Sequence, residues 1–121
     1  MNYLAHLFIA LPTPDSCFGN LLGDFQKGVN HQDLPAPVQA GLQNHLLVDK
    51  FTDSHALTRW ARAQFSPEQR RFAGVTLDIL FDHFLIQHWS RFSTQLLEDF
   101  CQSRYCLLDK RLPLMPPSMQ R

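Results

Sequence analysis

Apolar side chains recur along this chain at the three- and four-residue spacing of amphipathic helices. Proline, glycine and polar segments separate the apolar stretches, and no clean period-two run indicates a β-strand. The chain is therefore expected to be all-α. The predicted helices run from about Asn2 to Leu11, Cys17 to Phe25, Pro37 to Phe51, His55 to Gln64, Pro67 to Trp89 and Thr94 to Lys110.

The start of the fifth helix has the clearest local signal. Ser66 is suited to the N-cap, Pro67 to the first helical position, and Gln69 completes a capping box. The pattern predicts that this helix continues without interruption to about Trp89.

Composition limits the kind of protein. The 121 residues suit one domain spanning 1–121, and 45% hydrophobic with 18% charged residues is a globular balance. Eleven basic and eleven acidic side chains give no net charge, which argues against a nucleic-acid partner. No apolar run reaches the ~20 residues of a membrane span. Three cysteines without metal-ligand spacing, and no signal peptide, predict a cytoplasmic location.

Several acids and histidines lie on apolar helical stripes. Asp78 and Asp82 are four residues apart, and so are His45 and Asp49. Burying a carboxylate without a compensating cation costs several kcal/mol or more, so a basic side chain or a metal is expected nearby. The complete set is His6, Asp24, His45, Asp49, Asp53, Asp78, Asp82 and His83.

Oxygen and imidazole donors without thiolates suit Mn²⁺, Mg²⁺, Fe²⁺ or Zn²⁺. Such an ion would neutralise a phosphate and activate water, so phosphoester hydrolysis is the chemistry that the set favours. The alternative to a metal site is that these acids form ion pairs with basic side chains of the chain. Asp78 would then pair with Arg71, and Asp49 or Asp53 with Lys50 or Arg59.

Short blocks in a fixed order resemble the acyl carrier protein phosphodiesterase family. They cover most of the chain, and their combination is more specific than any one of them. The blocks are MNYLAHL (1–7), GNLLGDF (19–25), FTDSH (51–55) and FDHFL (81–85), and RRFAG (70–74) also fits.

The resemblance implies a non-canonical member of the HD phosphohydrolases, with an HD-domain-like helical bundle and a divalent metal, Mn²⁺ favoured. The reaction would convert holo-acyl carrier protein into apo-carrier and 4′-phosphopantetheine. Carried onto this chain, the expected metal ligands are Asp24, Asp82, His83 and His6. The expected catalytic residues are Asp24, Asp53, His45 and Asp49.

The implied partner, acyl carrier protein, is acidic, so basic residues are expected to bind it. The candidates are Lys27, Arg59, Arg70 and Arg71. One departure is Leu46, where the family usually has arginine. The family also continues with further helices beyond the position of Arg121. The chain is therefore expected to be truncated at its C-terminus, with an uncovered apolar face that favours homo-oligomers.

Two other functions are compatible with the residues. A nucleotide-type HD phosphohydrolase would use the same donors on a small ligand. A catalytically inactive helical interaction module would instead neutralise its acids with Arg71 and other bases.

Overall fold

The computed structural model describes residues 1–120, and this part of the chain contains helices and no strand. The all-α prediction is confirmed. The α-helices are α1 (Tyr3–Ile9), α2 (Pro14–Leu22), α3 (Ala36–Ser54), α4 (Ala56–Ala63), α5 (Ala73–Gln87) and α6 (Leu97–Asp109). Short 3₁₀ turns lie at His31–Asp33, Arg70–Phe72, Trp89–Arg91 and Leu112–Leu114.

Helix α2 begins earlier than predicted. The Thr13 hydroxyl accepts a hydrogen bond from the Ser16 N–H at 3.2 Å, and Pro14 occupies the first helical position. The threonine–proline pair that separates α1 from α2 is thus also the start signal of α2, because proline needs no N–H partner there.

The predicted start of α5 at Pro67 is wrong. The Ser66 carbonyl closes one turn with the N–H groups of Gln69 and Arg70, but a 3₁₀ turn follows and α5 begins at Ala73. Every residue from 66 to 72 is exposed. A helical turn with no buried face gains no packing, so capping residues alone do not extend the helix there.

Helices α2 and α3 cross with their backbones in contact. A side chain at Gly19 would collide with the Val38 carbonyl oxygen, and one at Gly41 would meet the Ser16 carbonyl oxygen at 2.9 Å. This approach brings the end of α2 against the middle of α3, next to His45.

The core lies between α1, α2, α3 and α6. The rings of Trp89 and Phe100 pack at a tilt of 56° with centroids 4.9 Å apart, and the Trp89 indole N–H donates to the Gln95 carbonyl at 2.7 Å. The ion pair between Arg111 and Asp15 at 2.6 Å holds the chain after α6 against α2. The buried members are Leu7, Ala10, Cys17, Phe18, Leu22, Val38, Trp89, Phe100, Leu108 and Met115.

Among residues 1–120, none of the helices has the length and apolar content that crossing a membrane would require.

The α2–α3 crossing gives a stability prediction. We expect Gly19→Ala to lower the free energy of unfolding by about 1–3 kcal/mol, because the added methyl meets a main-chain carbonyl that cannot move aside. The matched control is Gly74→Ala, where the methyl meets only the Arg62 side chain and alanine favours the helix. Urea denaturation measures both. Equal stabilities for the two variants would contradict a tight crossing.

Candidate metal centre

Two buried histidines form the floor of the candidate site. His6 comes from α1 and His45 from α3, and both side chains are almost completely buried. Their rings stack with centroids 3.9 Å apart and planes 23° apart. Two stacked imidazoles that both carried a proton charge would repel each other, so this contact disfavours protonation of both rings at once.

A main-chain contact sets the tautomer of His45. Its Nδ1 lies 2.7 Å from the carbonyl oxygen of Asn20, so Nδ1–H donates and Nε2 keeps its lone pair. That Nε2 lies 3.3 Å from Asp49 Oδ2 and 3.7 Å from Asp24 Oδ1. Gly23 makes room for the ring, because a side chain there would overlap it. With His45 neutral, these three atoms are all acceptors, and a cation among them would relieve their repulsion.

His6 is buried without a hydrogen bond. Its Nε2 lies 3.2 Å from Asp49 Oδ1, but the geometry is not that of a hydrogen bond, and neither ring nitrogen has a partner. Burial and then the neighbouring His45 lower the pKa of His6 to about 4, against a smaller opposing effect of Asp49. His6 is consequently neutral near pH 7, and a buried imidazole with unpaired nitrogens is suited to bind a cation.

Carboxylates form the rim of the site. The side chains of Asp24, Asp49 and Asp78 are 37%, 31% and 40% exposed, so solvent reaches these carboxylates but not the two buried histidines. Burial raises the pKa of Asp24, with Asp49 and Asp78 adding to the effect and His45 opposing it. Asp49 and Asp78 therefore lie close enough to Asp24 to disfavour its charged form.

The amino group of Met1 lies between two of these acids. It is 2.8 Å from Asp49 Oδ1 and 3.0 Å from Asp78 Oδ1. Burial acts to lower the pKa of this amine, but the hydrogen bonds and attraction to the two carboxylates outweigh it and raise the pKa above 8.0. Asp78, a candidate residue by its position on an apolar stripe, thus contacts the amino group of Met1, a partner that helical spacing does not predict.

The donor atoms fit a divalent cation. His6, His45 and Asp49 each present one ligand atom, and these atoms lie within 4.8 Å of one another. A cation among them would satisfy the unpaired His6 nitrogen and remove the repulsion between His45 Nε2 and the carboxylates. The donors are nitrogen and oxygen, the set that Mn²⁺, Mg²⁺, Fe²⁺ and Zn²⁺ accept.

Asp82 and His83 lie outside this cluster. The Asp82 carboxylate accepts hydrogen bonds from the main-chain N–H groups of Leu4 and Ala5, at 3.0 and 2.9 Å. It thus caps the N-terminus of α1 from α5 and fixes the helix that carries His6. His83 is exposed, with its ring against Phe84 at 5.2 Å.

The remaining candidate residues are at the surface. Asp53 pairs with Arg62 at 3.7 Å, one helical turn beyond Asp49. Lys27 is exposed in the connection between α2 and α3. Arg59 on α4 and Arg70 and Arg71 in the following 3₁₀ turn are also exposed. The structure thus brings together four of the predicted site residues, His6, Asp24, His45 and Asp49.

The fold and these contacts define an all-helical protein with a candidate divalent-cation site built from histidine and aspartate. Residues 1–121 match the family model described as acyl carrier protein phosphodiesterase. The chain belongs to the acyl carrier protein phosphodiesterase family.

Curated relatives agree with the family match. The acyl carrier protein phosphodiesterase of Serratia proteamaculans is 43% identical over 121 residues, which is 99% of this chain and 63% of the relative. Those of Yersinia enterocolitica and Escherichia coli are 40% and 41% identical, over 63% and 62% of their own lengths. The chain thus spans less than two thirds of these relatives. No solved structure matches it significantly.

The buried His6 gives a pH prediction. Its pKa is about 4 in the folded chain and near 6.5 when exposed, so between these values the unfolded chain binds more protons. With chelator present, the free energy of unfolding should therefore fall as the pH drops from 6.5 towards 4, by at most about 1.4 kcal/mol per unit from this group.

Urea denaturation at several pH values tests this, with His6→Gln compared with His31→Gln, which removes an exposed histidine. Asp24 titrates in both variants, so the difference between their slopes isolates His6. Identical slopes would contradict a buried neutral His6.

Proposed function

We propose that this chain contributes the metal centre of a phosphodiesterase that removes 4′-phosphopantetheine from holo-acyl carrier protein. The family membership supports the reaction, and the converging acceptor atoms of His6, His45 and Asp49 support the metal. The convergence is the observation that carries the proposal, because three potential ligand atoms within 4.8 Å of one another, two of them on buried imidazoles, are arranged as a cation site would need. We also propose a cytoplasmic location, which the three free cysteines support.

His6, His45 and Asp49 would hold the ion, with Asp24 and Asp78 beside it; Mn²⁺ is the favoured identity on the family resemblance. A bound divalent ion supplies positive charge for the phosphodiester oxygens and makes water a better nucleophile. The Asn20 carbonyl keeps the His45 Nε2 lone pair directed towards the carboxylates. We also propose that the chain is a non-canonical member of the HD phosphohydrolases.

Asp24 is the residue proposed to move protons. It is the carboxylate closest to His45 Nε2 after Asp49, and it is exposed enough to meet a substrate. In the reaction, water attacks phosphorus and the bond between phosphorus and the carrier's serine oxygen breaks. Asp24 would accept a proton from that water and return it to the departing serine oxygen.

The test is a mass measurement on holo-acyl carrier protein incubated with the chain. With Mn²⁺, we expect conversion to the apo-carrier and free 4′-phosphopantetheine, and with chelator no conversion. Asp49→Asn and Gly23→Ala should each lower the rate at least 100-fold, which is ~2.7 kcal/mol. The first variant removes a ligand, and the second drives its methyl into the His45 ring. Asp99→Asn, an exposed acid on α6, is the matched control.

Conversion that is equally fast with chelator, or that survives in Asp49→Asn, would contradict the proposal. Cleavage of a small synthetic phosphodiester without any cleavage of holo-carrier would favour the nucleotide-type HD phosphohydrolase. A chain that binds no metal and cleaves neither substrate would be the inactive interaction module.

A further inference from the structure

Positive charge is concentrated in one part of a neutral chain. Residues 50 to 72 contain five basic and two acidic side chains, whereas the whole chain has eleven of each. This segment comprises the end of α3, all of α4 and the 3₁₀ turn before α5. The rest of the chain therefore carries the compensating negative charge, and an acidic partner would be attracted to this end of the molecule.

Helix α4 turns its apolar side chains towards solvent. Leu57 and Trp60 are 70% and 64% exposed, while Thr58 is the buried residue of the helix. A surface helix normally buries its apolar stripe, and an exposed one indicates a binding surface.

Within the described part of the chain, three exposed arginines of the same segment have no acidic partner. Among residues 1–120, Arg59, Arg70 and Arg71 have no carboxylate within 4.0 Å, whereas Arg62 and Arg111 are paired. The Arg71 guanidinium lies 4.6 Å from the centre of the exposed Phe72 ring. Tryptophan and arginine are the residue types that contribute most strongly to protein interfaces.

We propose that Leu57, Arg59, Trp60, Arg70, Arg71 and Phe72, here termed the arginine–tryptophan surface, form the docking site for the acidic carrier protein. The inference rests on the proposed function. Charge complementarity favours this occupant over a second copy of the chain, because two basic segments would repel each other. The ion pair of Arg62 with Asp53 joins α4 to α3 one turn beyond Asp49, so the helix that carries Leu57, Arg59 and Trp60 is attached to the helix that carries His45 and Asp49.

Binding of apo-acyl carrier protein tests the inference without catalysis, because the apo form has no phosphopantetheine to cleave. Labelled apo-carrier is titrated with the full chain, and fluorescence anisotropy gives the Kd. We expect the double variant Arg59→Glu/Arg71→Glu and the variant Trp60→Ala to weaken binding at least tenfold. Arg91→Glu makes the same charge change on another exposed arginine and should stay within twofold.

Ionic strength adds a second readout. A rise in salt that shortens the Debye length should weaken binding to the unmodified chain, and it should have a smaller effect on the double variant. Trp60 emission should also shift to the blue on binding, since its ring leaves water.

Three results would overturn the docking site. One is apo-carrier binding that all the variants retain. Another is no carrier binding together with dimers in light scattering, which would make the surface an interface between copies. The third is no carrier binding by a monomer that instead binds the part of the Serratia relative outside the matched 63%.

The docking site and the proposed function fail separately. Cleavage of holo-carrier with an unchanged KM in the variants would remove the docking site and leave the reaction. Apo-carrier binding that depends on Arg59, Arg71 and Trp60, without cleavage of holo-carrier, would support the docking site and contradict the proposed reaction.

Discussion

The stacked contact between His6 and His45 beneath Asp49 is the constraint on which the site depends. Two imidazoles lie in a dry interior, and their free nitrogens share one small volume with carboxylate oxygens. Nitrogen and carboxylate lone pairs that face one another at this distance repel each other unless positive charge lies between or beside them. The amine beside Asp49 and Asp78 supplies part of that charge at the rim, and a divalent ion at the histidines would supply the rest.

Contacts to the main chain position His6 and His45 next to each other. The α2–α3 crossing, possible because Gly19 and Gly41 have no side chains, puts the Asn20 carbonyl against His45. Asp82 fixes the start of α1 through two main-chain N–H groups and so fixes His6. The Asn20 side chain itself is held by the Ser16 carbonyl and by Asn44. The site is thus positioned by helix contacts within the bundle.

Much of this arrangement was predictable from residue patterns, and the exceptions have physical reasons. The helices follow from apolar spacing, and His45 with Asp49 follows from their four-residue separation. Asp78 and Asp82 share that separation, yet one lies at the rim and the other caps α1. Helical spacing gives the face on which a residue lies but not which neighbour meets it. The late start of α5 has the same cause, because capping residues do not reveal whether a turn will be buried.

The two histidine ligands can be tested by pulsed electron paramagnetic resonance of Mn²⁺ bound to the chain, which detects nitrogen nuclei that coordinate the ion. We expect couplings from two histidine nitrogens, reduced to one by His6→Gln and unchanged by His31→Gln, which replaces an exposed histidine. Bound Mn²⁺ without any histidine coupling, or a spectrum that His6→Gln leaves unchanged, would show that the stacked histidines are not the ligands.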